Sequence, residues 1–93
     1  MIGASITHYV IPSHIKTIRY YAFIDCDYLK SIILPKSITH IEEDVFNGCS
    51  DLEEIIYKGN ILDWNNIKFT SSKRPLGLNR KIKIKCSDGE IEV

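Results

Sequence analysis

Ninety-three residues, 44% of them hydrophobic and 26% charged, allow one small globular domain. Twelve basic residues balance 12 acidic ones, so no global field draws the chain to nucleic acid or to a membrane surface. No apolar run approaches the ~20 residues of a membrane span, and the start, MIGASITHYVIP, lacks the basic and continuous apolar regions of a secretion signal. An intracellular chain, or a piece of a larger one, is expected.

Taken in order, residues 5–12 read as the tail of a unit whose two full copies follow. Residues 11–33, IPSHIKTIRYYAFIDCDYLKSII, align with residues 34–56, LPKSITHIEEDVFNGCSDLEEII. At that offset Pro12/Pro35, Ile15/Ile38, Ile18/Ile41, Phe23/Phe46, Cys26/Cys49, Leu29/Leu52, Ile32/Ile55 and Ile33/Ile56 are identical. The identities are apolar apart from the proline, while the polar positions drift. Stacked units behave this way, because each must keep its core contacts while its surface can vary. Ile6, Tyr9, Val10, Ile11 and Pro12 fill the slots of Leu29, Ile32, Ile33, Leu34 and Pro35 one period earlier. Ile32 and Leu34 are two apart and share a face, and proline cannot donate to a ladder. Strands are therefore expected at about 6–11, 29–34 and 52–57, as parallel neighbours ~4.8 Å apart. Ile32, Leu34, Ile55 and Tyr57 should point inward, and Ile33 and Ile56 outward, since a slip of one residue inverts every side chain.

After each proline the chain must return. Ile15 with Ile18, and Ile38 with Ile41, are the next inward pairs. Tyr21-Ala22-Phe23 and Asp44-Val45-Phe46 then predict a short helical turn or a second, irregular strand on the far side. Asp25, Asp27, Asn47, Gly48, Ser50 and Asp51 supply turn chemistry, and Asn47-Gly48 tolerates a left-handed backbone.

From Gly59 the period breaks. Ile61, Trp64, Ile67 and Lys68 fit one face of a two-turn helix with Asn60 as its N-cap. Trp64 is large enough to cover the open end of the last rung. Residues 70–79, TSSKRPLGLN, have the composition of a loop. In RKIKIKC, residues 80–86, Ile82, Ile84 and Cys86 fall on one face and Lys81, Lys83 and Lys85 on the other. That predicts a half-buried strand whose lysines guard the outer edge of a sheet. Asp88-Gly89 reads as a turn and the last residues as loose.

The stretch Leu29-Lys30-Ser31-Ile32-Ile33-Leu34-Pro35 through Ile38 and Ile41, with Ala22-Phe23 and Cys26, and Val45-Phe46 and Cys49, resembles the BspA-like leucine-rich repeats. The segment Ile56-Tyr57-Lys58-Gly59-Asn60 with Trp64, then Ile84-Lys85-Cys86-Ser87-Asp88-Gly89, is similar to the C-terminal unit that often ends arrays in that family. The resemblance covers about residues 6–90. It implies a curved solenoid of α/β or mostly β class, a short leucine-rich-repeat array with a parallel sheet on one face and short helical turns on the other. Within a single domain, 1–93, residues 1–10 would be a partial repeat, 11–33 and 34–56 repeats, and 57–93 a capping unit. The family's members are mostly bacterial and protist surface proteins that bind host or matrix proteins. The resemblance thus implies a cell-surface or extracellular place and a protein partner.

Candidate chemistry is sparse. Cys26 and Cys49 are repeat-equivalent, so they should sit on adjacent rungs, close enough for a disulfide; a ladder of buried filler thiols explains them without a bond. Cys86 adds no zinc spacing, and neither metal nor cofactor is expected. His8, His14 and His40 fall at unrelated slots and read as solvated. The acidic cluster Glu42, Glu43, Asp44, Asp51, Glu53 and Glu54 reads as a solvated turn face. No phosphate loop, HExxH or GxSxG is present, so catalysis has no support. The function expected is a non-catalytic protein-binding module that uses its sheet face. Its partner-binding residues would be His8, Val10, Ser31, Ile33, Glu54 and Ile56, with Lys81, Lys83 and Lys85 at the far edge. Two other readings stand beside it. One is an inhibitor of a nucleic-acid machine acting through the basic end, Lys73–Lys85. The other is a structural C-terminal cap of a longer adhesin array. An apolar, uncapped first rung also predicts self-association through residues 1–12, or an upstream segment.

Overall fold

The computed structural model describes residues 6–20, 22–70, 76, 78 and 80–93. Two parallel ladders run through them. The outer sheet contains β1 (His8–Val10), β3 (Ser31–Leu34), β5 (Glu54–Tyr57), β7 (Lys83–Cys86) and β8 (Gly89–Glu92), in that order. The second sheet contains β2 (Thr17–Ile18), β4 (His40–Ile41) and β6 (Lys68–Phe69). The single helix among the described residues is α1 (Ile61–Asn65).

The expected outer strands lie where the repeat puts them, although each is trimmed at its start. Leu29 and Leu52 are inward and fully buried, but they leave turns in which Leu29 N–H donates to Cys26 O and Leu52 N–H to Cys49 O. The ladder therefore begins only at Ser31 and Glu54. Register is as the alternation requires: Tyr9, Ile32, Ile55 and Ile84 align, and so do Val10, Ile33 and Ile56. Ile32, Leu34, Ile55, Tyr57 and Ile84 are buried, while Ile33 and Ile56 are half-buried on the other face. Pro12 and Pro35 follow their strands and open turns, with Ile15 N–H on Pro12 O and Ile38 N–H on Pro35 O.

The far side differs from expectation. Two-residue strands at 17–18, 40–41 and 68–69 form a sheet there, a few residues ahead of the place where helical turns or irregular strands were expected. Residues 22–25 and 43–48 are hydrogen-bonded turns. A helix cannot propagate through them, because Asp25, Asp44 and Gly48 all take positive φ, at 56°, 56° and 83°. Asp25 is the repeat-equivalent of Gly48, so the left-handed position recurs once per unit. A side chain at Gly48 would run into the Asp25 carboxylate stacked beside it. Tyr21, also expected in this turn, lies outside the described residues.

The core is one cluster, built from Ile18, Phe23, Leu29, Ile38, Ile41, Val45, Phe46, Leu52 and their neighbours between the two sheets. Phe23 and Phe46 stack at 5.6 Å, and Tyr9 tilts onto Phe23 at 5.8 Å. Cys26 and Cys49 are buried in the same turns, and neither they nor Cys86 form a disulfide. Cys49 Sγ donates to Phe23 O at 3.0 Å. Burial pushes the Cys49 thiol up to about 12, so it stays neutral where an unfolded thiol would ionise. The unfolded chain then binds fewer protons than the folded one between about pH 9 and 12, and stability should fall as pH rises through that window. Alkylation at pH 8 checks the same burial: Cys49 should react only on unfolding, and fast labelling of the native chain would contradict it.

The end of the stack is closed differently from the rest. Asn60 caps α1 in a reciprocal box with Asp63: Asp63 N–H donates to Asn60 Oδ1 at 2.7 Å and Asn60 N–H to Asp63 Oδ2 at 3.2 Å. The helix stops at Asn65, shorter than the two turns expected, and Lys68 belongs to β6 instead. Trp64 is buried, edge-on to Tyr57 at 5.5 Å and tilted onto Phe69 at 5.7 Å. Partners lie 23 residues apart between β2 and β4 but 28 apart between β4 and β6, which accommodates the five residues of α1.

The C-terminus is not loose. Ser87-Asp88 turns the chain into β8, which pairs antiparallel with β7. Asp88 Oδ1 accepts Ile61 N–H at 2.9 Å, and Ser87 N–H donates to Gly59 O at 2.9 Å, so the hairpin is tied to the start of α1. It follows that Lys83 and Lys85 are not at the sheet edge; β8 is. Glu90-Ile91-Glu92 complements Lys83-Ile84-Lys85 residue for residue, and opposite charges directly across an antiparallel pair stabilise it. No helix of the described residues is long and apolar enough to cross a membrane.

Candidate functional site: the outer sheet face

Because side chains alternate across a strand, the outer sheet shows two rows to its open side. The first is His8, Ser31, Glu54, Lys83 and Glu92. The second is Val10, Ile33, Ile56, Lys85 and Glu90. Each row changes character along the sheet: the second is aliphatic over β1, β3 and β5 and charged over β7 and β8. Val10, at the edge strand, is 61% exposed.

The nine residues singled out by sequence are not equally placed. Val10, Ile33 and Ile56 form the expected column. Ser31 does not offer a free hydroxyl: it is buried, and His8 Nδ1 shares a 2.6 Å hydrogen bond with its Oγ. The imidazole of the neighbouring strand shields it, so His8 is exposed but engaged. His40 is likewise exposed, with Nδ1 2.8 Å from Thr39 Oγ1. Glu54 is half-buried and receives Lys85 Nζ at 3.0 Å. That hydrogen bond and the Glu54 charge hold the Lys85 ammonium above its usual range. Lys83 faces Glu54 and Glu92 in the ladder. Lys81 precedes β7 and stands outside both rows. The charged half of the face is therefore largely self-neutralised, and the aliphatic column is what it leaves unmatched.

The basic end has a similar fate. Lys73 and Arg74 lie outside the described residues. Arg80 is exposed yet engaged, its Nη2 donating to Cys49 O at 3.1 Å and to Leu52 O. It thus satisfies two carbonyls of the turn that feeds β5. Sequence reasoning counted Arg80 only as charge; the repeated turn at Cys49–Leu52, with carbonyls to satisfy, was the available signal. Glu42 of the acidic cluster is also structural, accepting Tyr20 N–H at 2.9 Å beside Arg19. Among the described residues, no group of three or more His, Cys, Asp or Glu could hold a metal ion.

A family model described as BspA type leucine rich repeat region (6 copies) matches residues 2–84. No curated protein and no solved structure matches the chain.

Proposed function

The chain belongs to the BspA-type leucine-rich repeat family, and from that premise we propose that it is a non-catalytic protein-binding module whose outer sheet face meets the partner. The observation that supports this reading is the aliphatic column Val10, Ile33 and Ile56, aligned across three strands on the open side of the sheet. An interface of this kind has an apolar centre and a polar rim. Here Glu54 and Lys83 supply the rim, and rim charges set on-rate and register more than raw affinity. In this reading residues 1–93 are one domain, a short solenoid in which 57–93 is the capping unit, supported by Trp64 and the C-terminal hairpin. The nucleic-acid reading loses support, because Lys83 and Lys85 are matched by Glu54, Glu90 and Glu92.

The test is affinity capture with the folded chain and its face variants in parallel. Ile33→Glu with Ile56→Glu should abolish capture of the partner while the far-ultraviolet circular dichroism stays that of the parent. Lys83→Glu should mainly slow association. Full retention of the partner by the folded double variant would move the interface elsewhere, with Arg80 to Lys85 the next place to look.

A further inference from the structure

The two ends of the stack are unlike. At the far end α1 and the β7–β8 hairpin close the core, with β6 and β8 as the edge strands; at the near end, among the described residues, β1 and β2 are the edge strands and no helix or hairpin lies over them. The clearest opening is beside β2. On its covered side, Lys16 O accepts Thr39 N–H at 2.8 Å and Ile18 O accepts Glu42 N–H at 2.9 Å. Strand alternation then turns the Thr17 N–H and C=O to the open side. Next to that edge is a groove lined by Ile11, Ile15, Ile18, Ala22 and Phe23. Its Ile15, Ile18 and Phe23 are the repeat-equivalents of Ile38, Ile41 and Phe46, which are buried one rung along.

The charge beside this groove has one sign: Arg19 is the charged residue of its lining, and Asp25 and Asp27 of the same unit are not part of it. Residues 6–20 carry Lys16 and Arg19 and no acidic residue. Elsewhere the fold matches such cations from a neighbouring rung, with Lys36 on Asp63 at 3.9 Å and Lys85 on Glu54 at 3.0 Å; at this end Arg19 meets Glu42 at 3.8 Å, and no ion pair joins Lys16 among the described residues. Arg19 remains 80% exposed despite Glu42. We propose that the free edge of β2 and its apolar groove capture an acidic extended segment, which adds as a strand. Main-chain bonds to Thr17 would give affinity, and alternate side chains would give specificity. The segment seats aliphatic residues against Ile15 and Ile18, as Ile38 and Ile41 do on the covered side, and places a carboxylate beside Lys16 and Arg19. A second copy of this chain fits less well: a two-fold contact here sets Lys16 and Arg19 against themselves. This surface is separate from the outer sheet face and stands or falls without it.

The probe is a fluorescent peptide copying residues 37–44, SITHIEED, which is the segment that already pairs with β2. Its counterpart has Glu42→Lys, Glu43→Lys and Asp44→Lys. Fluorescence anisotropy with the full chain should show saturable binding of the acidic peptide, about tenfold tighter than its counterpart, and weakening with salt. Lys16→Glu, on an exposed side chain, should keep the parent's circular dichroism and invert the preference. Ile33→Glu should leave peptide binding unchanged, so failure of the sheet-face reading does not touch this one. Equal affinity for both peptides, no binding at all, or sedimentation as a dimer that excludes the peptide would each overturn the proposal.

Discussion

Phe46→Ala is expected to lower the stability of this chain by about 3–5 kcal/mol, the usual cost of deleting a fully buried ring. Phe46 has no exposed surface, stacks on Phe23, and donates its backbone N–H to Leu76 O. Its neighbours are backbone-tied turns: Phe23 N–H bonds Val45 O and Asp25 N–H bonds Asn47 O. They cannot collapse into the void without breaking ladder bonds, which places the cost toward the upper part of that range. For a domain of this size each kcal/mol lowers the melting temperature by about 4–8 °C. Urea and thermal unfolding followed by circular dichroism measure it. A loss below about 1 kcal/mol would show that the ring is not part of the core.

Trp64→Ala should cost a similar amount, about 3–5 kcal/mol, for a different reason. Phe46 lies inside a repeated rung; Trp64 stands where the repeat has ended. It lies against Tyr57 of β5 and Phe69 of β6, so one side chain joins the middle strand of the outer sheet to the last strand of the second. Without it, β6 keeps its ladder bonds to β4 but loses the ring behind Phe69. The expected signature is early loss of amide protection at Lys68 and Phe69, ahead of Ile32 and Ile55. Uniform protection, with an unchanged unfolding midpoint, would mean that the helix and hairpin close the end without the indole.

What could be read from the sequence was what repeats. The 23-residue offset set the register, and Ile32 with Leu34, like Ile55 with Tyr57, set the facing, because apolar residues two apart share one face. The second sheet was not legible. Thr17-Ile18 and His40-Ile41 are two-residue strands, too short for alternation to show. They arise from tertiary stacking, which brings Lys16 O under Thr39 N–H. The left-handed turn was half legible: Gly48 announced it, and Asp25 in the same slot was the overlooked echo. The closing hairpin was missed for lack of length, although Glu90-Ile91-Glu92 is the charge complement of Lys83-Ile84-Lys85. On the candidate face, the column was readable from alternation alone. The His8–Ser31 bond and the Lys85–Glu54 pair depend on rotamers, which no spacing rule supplies.

The equal step of the two ladders gives the family a way to change length. Partners in β1–β3, β3–β5 and β2–β4 are all 23 residues apart, and the count changes only where α1 enters. A 23-residue block duplicated or lost between residues 11 and 56 would therefore leave both sheets in register and the closing segment untouched. A block of another size must be absorbed in a connection, as α1 is between β4 and β6. Each added block would widen the outer face by one strand, about 4.8 Å, and add one residue to the row begun by Val10, Ile33 and Ile56. The breadth of the outer face thus becomes a heritable quantity that changes in whole steps, while the end that closes the core stays the same.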